Sequence, residues 1–130
     1  MSPLDVEVLG DALPAERVER ACALAAATAG IHDGHVAVAF VGAGEIAALN
    51  GQHRGKPAPT DVLSFPVDAA GPIPVPPAER ELGDVVICPE HTVDLTEAVV
   101  HGVLHLVGMD HETDEGEMLA LQAEVLGWIR

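Results

Sequence analysis

Aromatic residues are scarce in this chain of 130 residues, which holds one tryptophan, two phenylalanines and no tyrosine. Because 48% of its residues are nonetheless hydrophobic, the core has to be built from Val, Leu, Ile and Ala. A chain of this length can bury such a core without disulfides or a structural metal. We therefore expect residues 1–130 to form one domain.

Cysteines and long apolar runs are also scarce. The only cysteines, Cys22 and Cys88, are too few to suggest a disulfide framework, and they form no Cys-x-x-Cys pair. No apolar run approaches the roughly 20 residues that a membrane span needs. Since no basic region follows Met1, a signal peptide is not expected either. These absences predict a cytoplasmic protein without a membrane partner.

Basic residues are scarce as well, and this bears directly on function. Six lysines and arginines stand against 21 acidic residues, for a formal net charge of −15. A protein that grips nucleic acid mainly through phosphates needs a basic face. The charge therefore disfavours an extended nucleic-acid surface, although residues 46–66 are almost balanced.

Hydrophobic periodicity predicts four strands and four helices. We expect strands at Asp5–Leu9, His35–Phe40, Asp61–Pro66 and Gly83–Cys88, and helices at Pro14–Gly30, Gly44–Gln52, from Thr92 or Asp94 through His105, and Asp114–Trp128. The last helix should pack Met118, Leu121, Val125 and Trp128 along one side. Residues 67–80, rich in proline, are typical of a surface loop. This order predicts a sheet of about four strands with helices packed on it, of the α+β or the α/β class. Of the two we expect an α+β fold with a mixed sheet.

Three histidines within eleven residues are the best indication of chemistry. His101 and His105 are four apart, so on a helix they share one face. Gly108 suits the left-handed residue that ends a helix, after which the chain can carry His111 back toward the pair. Three converging imidazoles with no obvious fourth ligand describe an open tetrahedral metal site that keeps a water. Asp110 is available to orient a ligand imidazole, or is a solvated turn residue.

Histidines also have ordinary roles in proteins. A pair at i and i+4 can be hydrogen-bonded core or surface residues, and it is the third histidine after a helix-ending glycine that favours a metal. The remaining histidines lack such spacing and are expected to be surface or packing residues: His32, His35, His53 and His91.

The spacing matches the metzincin protease motif H-E-x-x-H-x-x-G-x-x-H. Position 102 is glycine, however, whereas in those proteases the glutamate there is the general base. Glycine cannot take a proton. A metallopeptidase is therefore disfavoured, although the metal geometry is shared.

A polar, turn-forming stretch between a predicted helix and strand is a second candidate, because binding loops often occupy such places. In it, Arg54 can clamp a phosphate or carboxylate with its planar fork, and Lys56 adds a point charge. Taken alone, the two cations fit a solvated loop equally well.

Taken together, these segments resemble the YbeY family of bacterial endoribonucleases and rRNA maturation factors. The resemblance rests on His101–His111 (HGVLHLVGMDH), Arg54-Gly55-Lys56 with Pro59–Pro66 (PTDVLSFP), Leu82–Cys88 (LGDVVIC) and Met118–Leu126. It covers most of the chain from residue 45 onward, and the first two motifs are highly specific.

The resemblance implies a metal-dependent endonuclease that acts on single-stranded RNA in 16S rRNA 3′-end maturation and ribosome quality control. It implies one Zn²⁺ per chain, or another divalent metal, held by His101, His105 and His111, with Arg54 important for activity. Expected partners are rRNA and the small ribosomal subunit or its assembly factors, and DNA is not expected. The nucleophile is either a water or a 2′-hydroxyl.

The chain departs from the family in several places. Met109 and His53 stand where the family usually has tyrosine, and Pro57 where it often has aspartate. The interval from Cys88 to His101 is short, so we expect the helix that usually precedes the metal helix to be missing. A non-catalytic assembly factor with a structural metal is the alternative, since structural and catalytic sites share ligand types.

Overall fold

The predicted strands and helices are all present in a computed structural model, which describes residues 4–68, 75–76, 79–110 and 115–129. In chain order they are β1 Asp5–Leu9, α1 Ala15–Ala27, β2 His35–Phe40, α2 Ala43–Arg54, β3 Val62–Pro66, β4 Glu81–Ile87, a 3-10 helix Pro89–His91, α3 Leu95–Leu106 and α4 Glu117–Ile129. The α+β fold class is confirmed.

The strands form one mixed sheet in the order β1-β2-β4-β3. Strands β1, β2 and β4 are parallel, whereas β3 pairs antiparallel with β4 at the edge. Proline at the end of an edge strand removes no central ladder hydrogen bond, which suits the position of Pro66. The four-stranded mixed sheet was predicted, but its strand order was not.

Side-chain alternation along β4 divides the core between the two faces of the sheet. Val85 and Ile87 join the large cluster that α1, α3 and α4 bury on one face. Val86 packs on the other face with Ile46 of α2. Helix α3 therefore lies in the middle of the larger layer, against β3, β4, α1 and α4.

The start of α3 decides between two predicted caps. The carboxylate of Asp94 accepts a hydrogen bond from the Glu97 amide at 3.1 Å, as a helix N-cap does. Thr92 instead donates its hydroxyl to the Cys88 carbonyl at 2.7 Å. Only the three-residue 3-10 helix lies between β4 and α3, so the expected absence of a longer helix is confirmed.

The predicted packing side of α4 is wrong in its last turn. Met118 and Val125 are fully buried, but Trp128 is 49% exposed, and Ile129 packs against the core instead. Trp128 and Ile129, three and four positions after Val125, lie on either side of the same helical stripe. Of the two, Ile129 contacts the core. The predicted start at Asp114 lies outside the described residues, as do residues 69–74 and 77–78 of the predicted loop.

Two further expectations concern cysteines and membranes. Cys22 and Cys88 are both buried free thiols, so no disulfide joins them. Burial, with a smaller contribution from the charge of Glu19, raises the pKa of Cys22 to about 12. No helix among the described residues is long and apolar enough to cross a bilayer.

His35, at the start of β2, lies between two carboxylates. Its Nδ1 is 2.7 Å from Oε1 of Glu81, and its Nε2 is 3.3 Å from Oε1 of Glu7. Burial lowers the pKa of His35, but hydrogen bonds and charge from Glu81, then Glu7 and Asp5, outweigh it. The net pKa is raised above 6.5.

This raised pKa predicts a pH-dependent contribution to stability. The contribution should be fully present below the unfolded pKa of about 6.5 and lost as the pH rises through the folded pKa. His35→Gln should therefore lower the urea midpoint, relative to the wild type, more at about pH 5.5 than at about pH 8.5. An equal loss at both pH values would contradict the prediction.

Candidate metal centre and cleft

His101 and His105 lie on the one side of α3 that opens to a cleft. Their rings meet edge to face with centroids 4.8 Å apart, and their Nε2 atoms are 3.2 Å apart. Both side chains are half-buried. The two histidines therefore share one face of the helix, as predicted, and their Nε2 atoms point toward each other.

Each ring has its Nδ1 occupied by an oxygen. His101 Nδ1 lies 2.8 Å from Oε1 of Gln122, and His105 Nδ1 lies 2.9 Å from the Met109 carbonyl. Both oxygens accept, so in a neutral ring Nδ1 carries the hydrogen and Nε2 presents a lone pair. These two bonds orient the imidazoles of His101 and His105, and an orienting role for Asp110 stays a prediction.

The donor pair fits a divalent cation. Two lone pairs facing each other at 3.2 Å repel unless a proton or a cation lies between them. Two nitrogens that bind a tetrahedral zinc at about 2.1 Å lie about 3.4 Å apart, close to this separation. The described residues contain no group of three or more potential ligands, and His111 lies outside them. The three-histidine metal site therefore stays a prediction. The positions of His101 and His105 are compatible with it.

Gly108 ends α3 in the predicted manner. Its φ of 102° is in the region that favours glycine. Its amide bonds the His105 carbonyl at 3.0 Å, while the Met109 amide bonds the Leu104 carbonyl at 3.1 Å. This pair of bonds is a Schellman motif, and it brings the Met109 carbonyl back toward the His105 ring.

Gly102, between the two histidines, faces the sheet. A Cβ atom at this position would collide with the side chain of Val85 on β4. The Gly102 carbonyl also accepts the Ser64 hydroxyl of β3 at 3.0 Å. A glutamate at position 102 would enter the packed layer, so glycine here is a packing requirement as well as a missing base.

Arg54 lies on the wall of the same cleft as the histidine pair. The cleft has a volume of about 670 Å³. Its described lining residues are His53, Arg54, Thr60, Asp61, Val62, Leu63, Ser64, Pro66, His101, His105, Gly108, Met109 and Asp110. The sequence predicted both groups separately, and the fold brings them together. Among these lining residues Arg54 is the one arginine or lysine.

The end of α2 holds Arg54 in place. Helix α2 runs two residues beyond its predicted end, to Arg54, and Gly55 stops it at a φ of 72°. Asn50, which is buried, donates Nδ2 to the Ala58 carbonyl at 2.9 Å and so ties the following loop to the helix. Its Oδ1 has no hydrogen-bond partner within the described residues.

Three residues at or beside the cleft have contacts that the sequence did not predict. His53, predicted to be a surface or packing residue, lines the cleft with its ring 4.6 Å from that of Phe65. Asn50 and Gln122 received no role, although both form the bonds described above. Gln122 could have been noticed in the sequence, because it is a polar residue next to the apolar stripe of α4.

Comparison with known proteins identifies the family. The family model described as Endoribonuclease YbeY matches residues 10–129. A protein of that name from Rubrobacter xylanophilus is 40% identical over 139 aligned positions, covering 98% of both chains. Another from Geobacillus kaustophilus is 40% identical, over 85% of this chain and 83% of its own. The chain belongs to the YbeY family.

A solved structure shares this fold. The solution structure of TM1509 from Thermotoga maritima is 28% identical in sequence, covers 95% of this chain and 88% of its own, and superposes with a TM-score of 0.57. The YbeY resemblance and the α+β architecture are thus both confirmed.

The packing of Gly102 predicts a specific cost for added volume. Gly102→Ala should lower the free energy of unfolding by about 1–3 kcal/mol, because the new methyl group overpacks the contact with Val85. A Cβ atom at Gly127 of α4 would meet no described neighbour within 4 Å, so Gly127→Ala is the control and should raise stability by up to about 1 kcal/mol. Urea unfolding measures both, and a neutral Gly102→Ala would contradict this packing.

Proposed function

We propose that this YbeY protein is a metal-dependent endoribonuclease specific for single-stranded RNA. The observation that carries the proposal is the placement of the converging Nε2 atoms of His101 and His105 in one cleft with Arg54. Family membership supports RNA as the substrate.

The proposed ligands are His101, His105 and His111, holding one Zn²⁺ or another divalent metal. When bound, such an ion supplies Lewis acidity to a water or to a phosphoryl oxygen. The Nδ1 bonds to Gln122 and Met109 hold the first two imidazoles with Nε2 toward the cleft. Gly102 offers no base between them.

Arg54 is proposed to bind the scissile phosphate. Its planar guanidinium pairs with two phosphate oxygens at once and stabilises the charge that builds on them during attack. The products report the nucleophile: a 2′,3′-cyclic phosphate follows attack by the 2′-hydroxyl, and a linear phosphate follows attack by water. We extend the proposal to cytoplasmic maturation of the 16S rRNA 3′ end and to ribosome quality control, with the small subunit or its assembly factors as partners.

Removing one ligand tests the metal. His105→Ala should lower zinc content well below one ion per chain and reduce cleavage of a single-stranded rRNA fragment by more than about a hundredfold, since even the loss of an outer partner costs 10- to 100-fold. His32→Ala, which alters an exposed histidine outside the cleft, is the control. Metal analysis and RNA gels measure both effects. Undiminished cleavage by His105→Ala would rule the mechanism out.

The salt dependence of RNA binding tests Arg54. The cations counted are Arg54 in the cleft and Lys56, exposed on the loop that follows α2. The slope of log K against log salt should be about −1.4, at about −0.7 per neutralised phosphate on a single strand. Arg54→Ala should bring the slope to about −0.7 and lower the cleavage rate by about a hundredfold.

Arg17→Ala is the matched control, because it removes the same charge from an exposed position on α1. It should leave both the slope and the rate unchanged. Arg54→Lys should keep the slope but not the rate, because lysine lacks the two-pronged fork. If Arg54→Ala behaved like Arg17→Ala, Arg54 would have no place in the reaction.

A further inference from the structure

We infer that Gln122 is a positioning residue that sets the tautomer of His101 and, through it, the affinity of the site for a divalent cation. The inference rests on the proposed metal site and adds a residue from a different helix to it. It also assigns to α4 a part in the site beyond packing.

The two histidines are oriented by different means. His105 bonds the Met109 carbonyl, which the helix-ending turn at Gly108 places within the same segment. No side-chain substitution removes that acceptor. His101 depends on a side chain 21 positions further along the chain, so its orientation requires α4 to be docked correctly.

The docking of α4 fixes the amide group. Met118 and Val125, four before and three after Gln122, are fully buried, and residues so spaced lie on the same side of a helix. Gln122 is half-buried between them. At 2.8 Å its Oε1 accepts the Nδ1 hydrogen of His101, which leaves Nε2 as the lone pair directed toward His105.

The chemistry of the acceptor matters as much as its position. A neutral amide holds the tautomer without adding negative charge. A carboxylate in its place would accept a stronger, charge-assisted hydrogen bond and make the imidazole more basic as a ligand. A leucine of similar size would leave the Nδ1 hydrogen without this acceptor, and the tautomer with its hydrogen on Nε2, facing His105, would gain population.

The first experiment measures the tautomer in metal-free protein. In ¹⁵N NMR spectra of the histidine rings, wild-type His101 should carry its hydrogen on Nδ1. In Gln122→Leu the hydrogen should move toward Nε2, where it can bond Nε2 of His105. Gln122→Glu should keep the wild-type pattern. Gln52→Leu, the same substitution at an exposed position of α2, is the matched control and should change nothing.

The second experiment measures zinc affinity by competition with a chelating dye. Gln122→Leu should bind zinc 10- to 100-fold more weakly than the wild type, and Gln122→Glu at least as tightly as the wild type. Should Gln122→Leu fail to fold, the Gln122→Glu protein still tests the idea, because weaker binding by that variant would overturn it.

The failures of the two proposals are distinguishable. If the wild type binds zinc and Gln122→Leu binds it equally well with the His101 hydrogen still on Nδ1, Gln122 has no positioning role and the metal site stands. If the wild type binds no divalent metal, the proposed function fails. A mixed tautomer in wild-type metal-free protein overturns the inference about Gln122 directly.

Discussion

The contact between Gly102 and Val85 leaves no room for a Cβ atom, and the geometry of the site depends on this close approach of α3 to the sheet. With α3 pressed onto β3 and β4, and covered by α1 and α4, one of its sides remains for the cleft. His101 and His105 occupy that side. The same glycine that permits the packing removes the base a metallopeptidase would use, so one residue serves the fold and restricts the chemistry.

Three separate parts of the fold support the histidine pair. The turn at Gly108 supplies a backbone oxygen to His105, and α4 supplies the Gln122 amide to His101. The hydroxyl of Ser64 ties β3 to the helix between the two rings. Because outer partners of this kind fix the orientation of metal ligands, these bonds would prearrange the pair for the proposed metal.

The charge of the chain constrains how it can act on a polyanion. With a formal net charge of −15 and Arg54 the one arginine or lysine among the described lining residues, RNA cannot be held by a broad basic face. Affinity for RNA then has to come from a few contacts in the cleft, to which the proposed cation would add. The ring pair of His53 and Phe65 offers a surface on which a base can stack.

The sequence by itself determined the local features: the strands and helices, the shared face of His101 and His105, and the helix end at Gly108. Each follows from periodicity or from backbone preferences within a few residues. The residue type of Arg54 and its polar loop made it a candidate, and the family resemblance added the expectation that it matters for activity. Only the tertiary structure decided the strand order, the exposure of Trp128, the packing need for Gly102 and the bond from Gln122 to His101. These depend on contacts between segments far apart in the chain, which local patterns do not encode because they carry no information on which surfaces will meet.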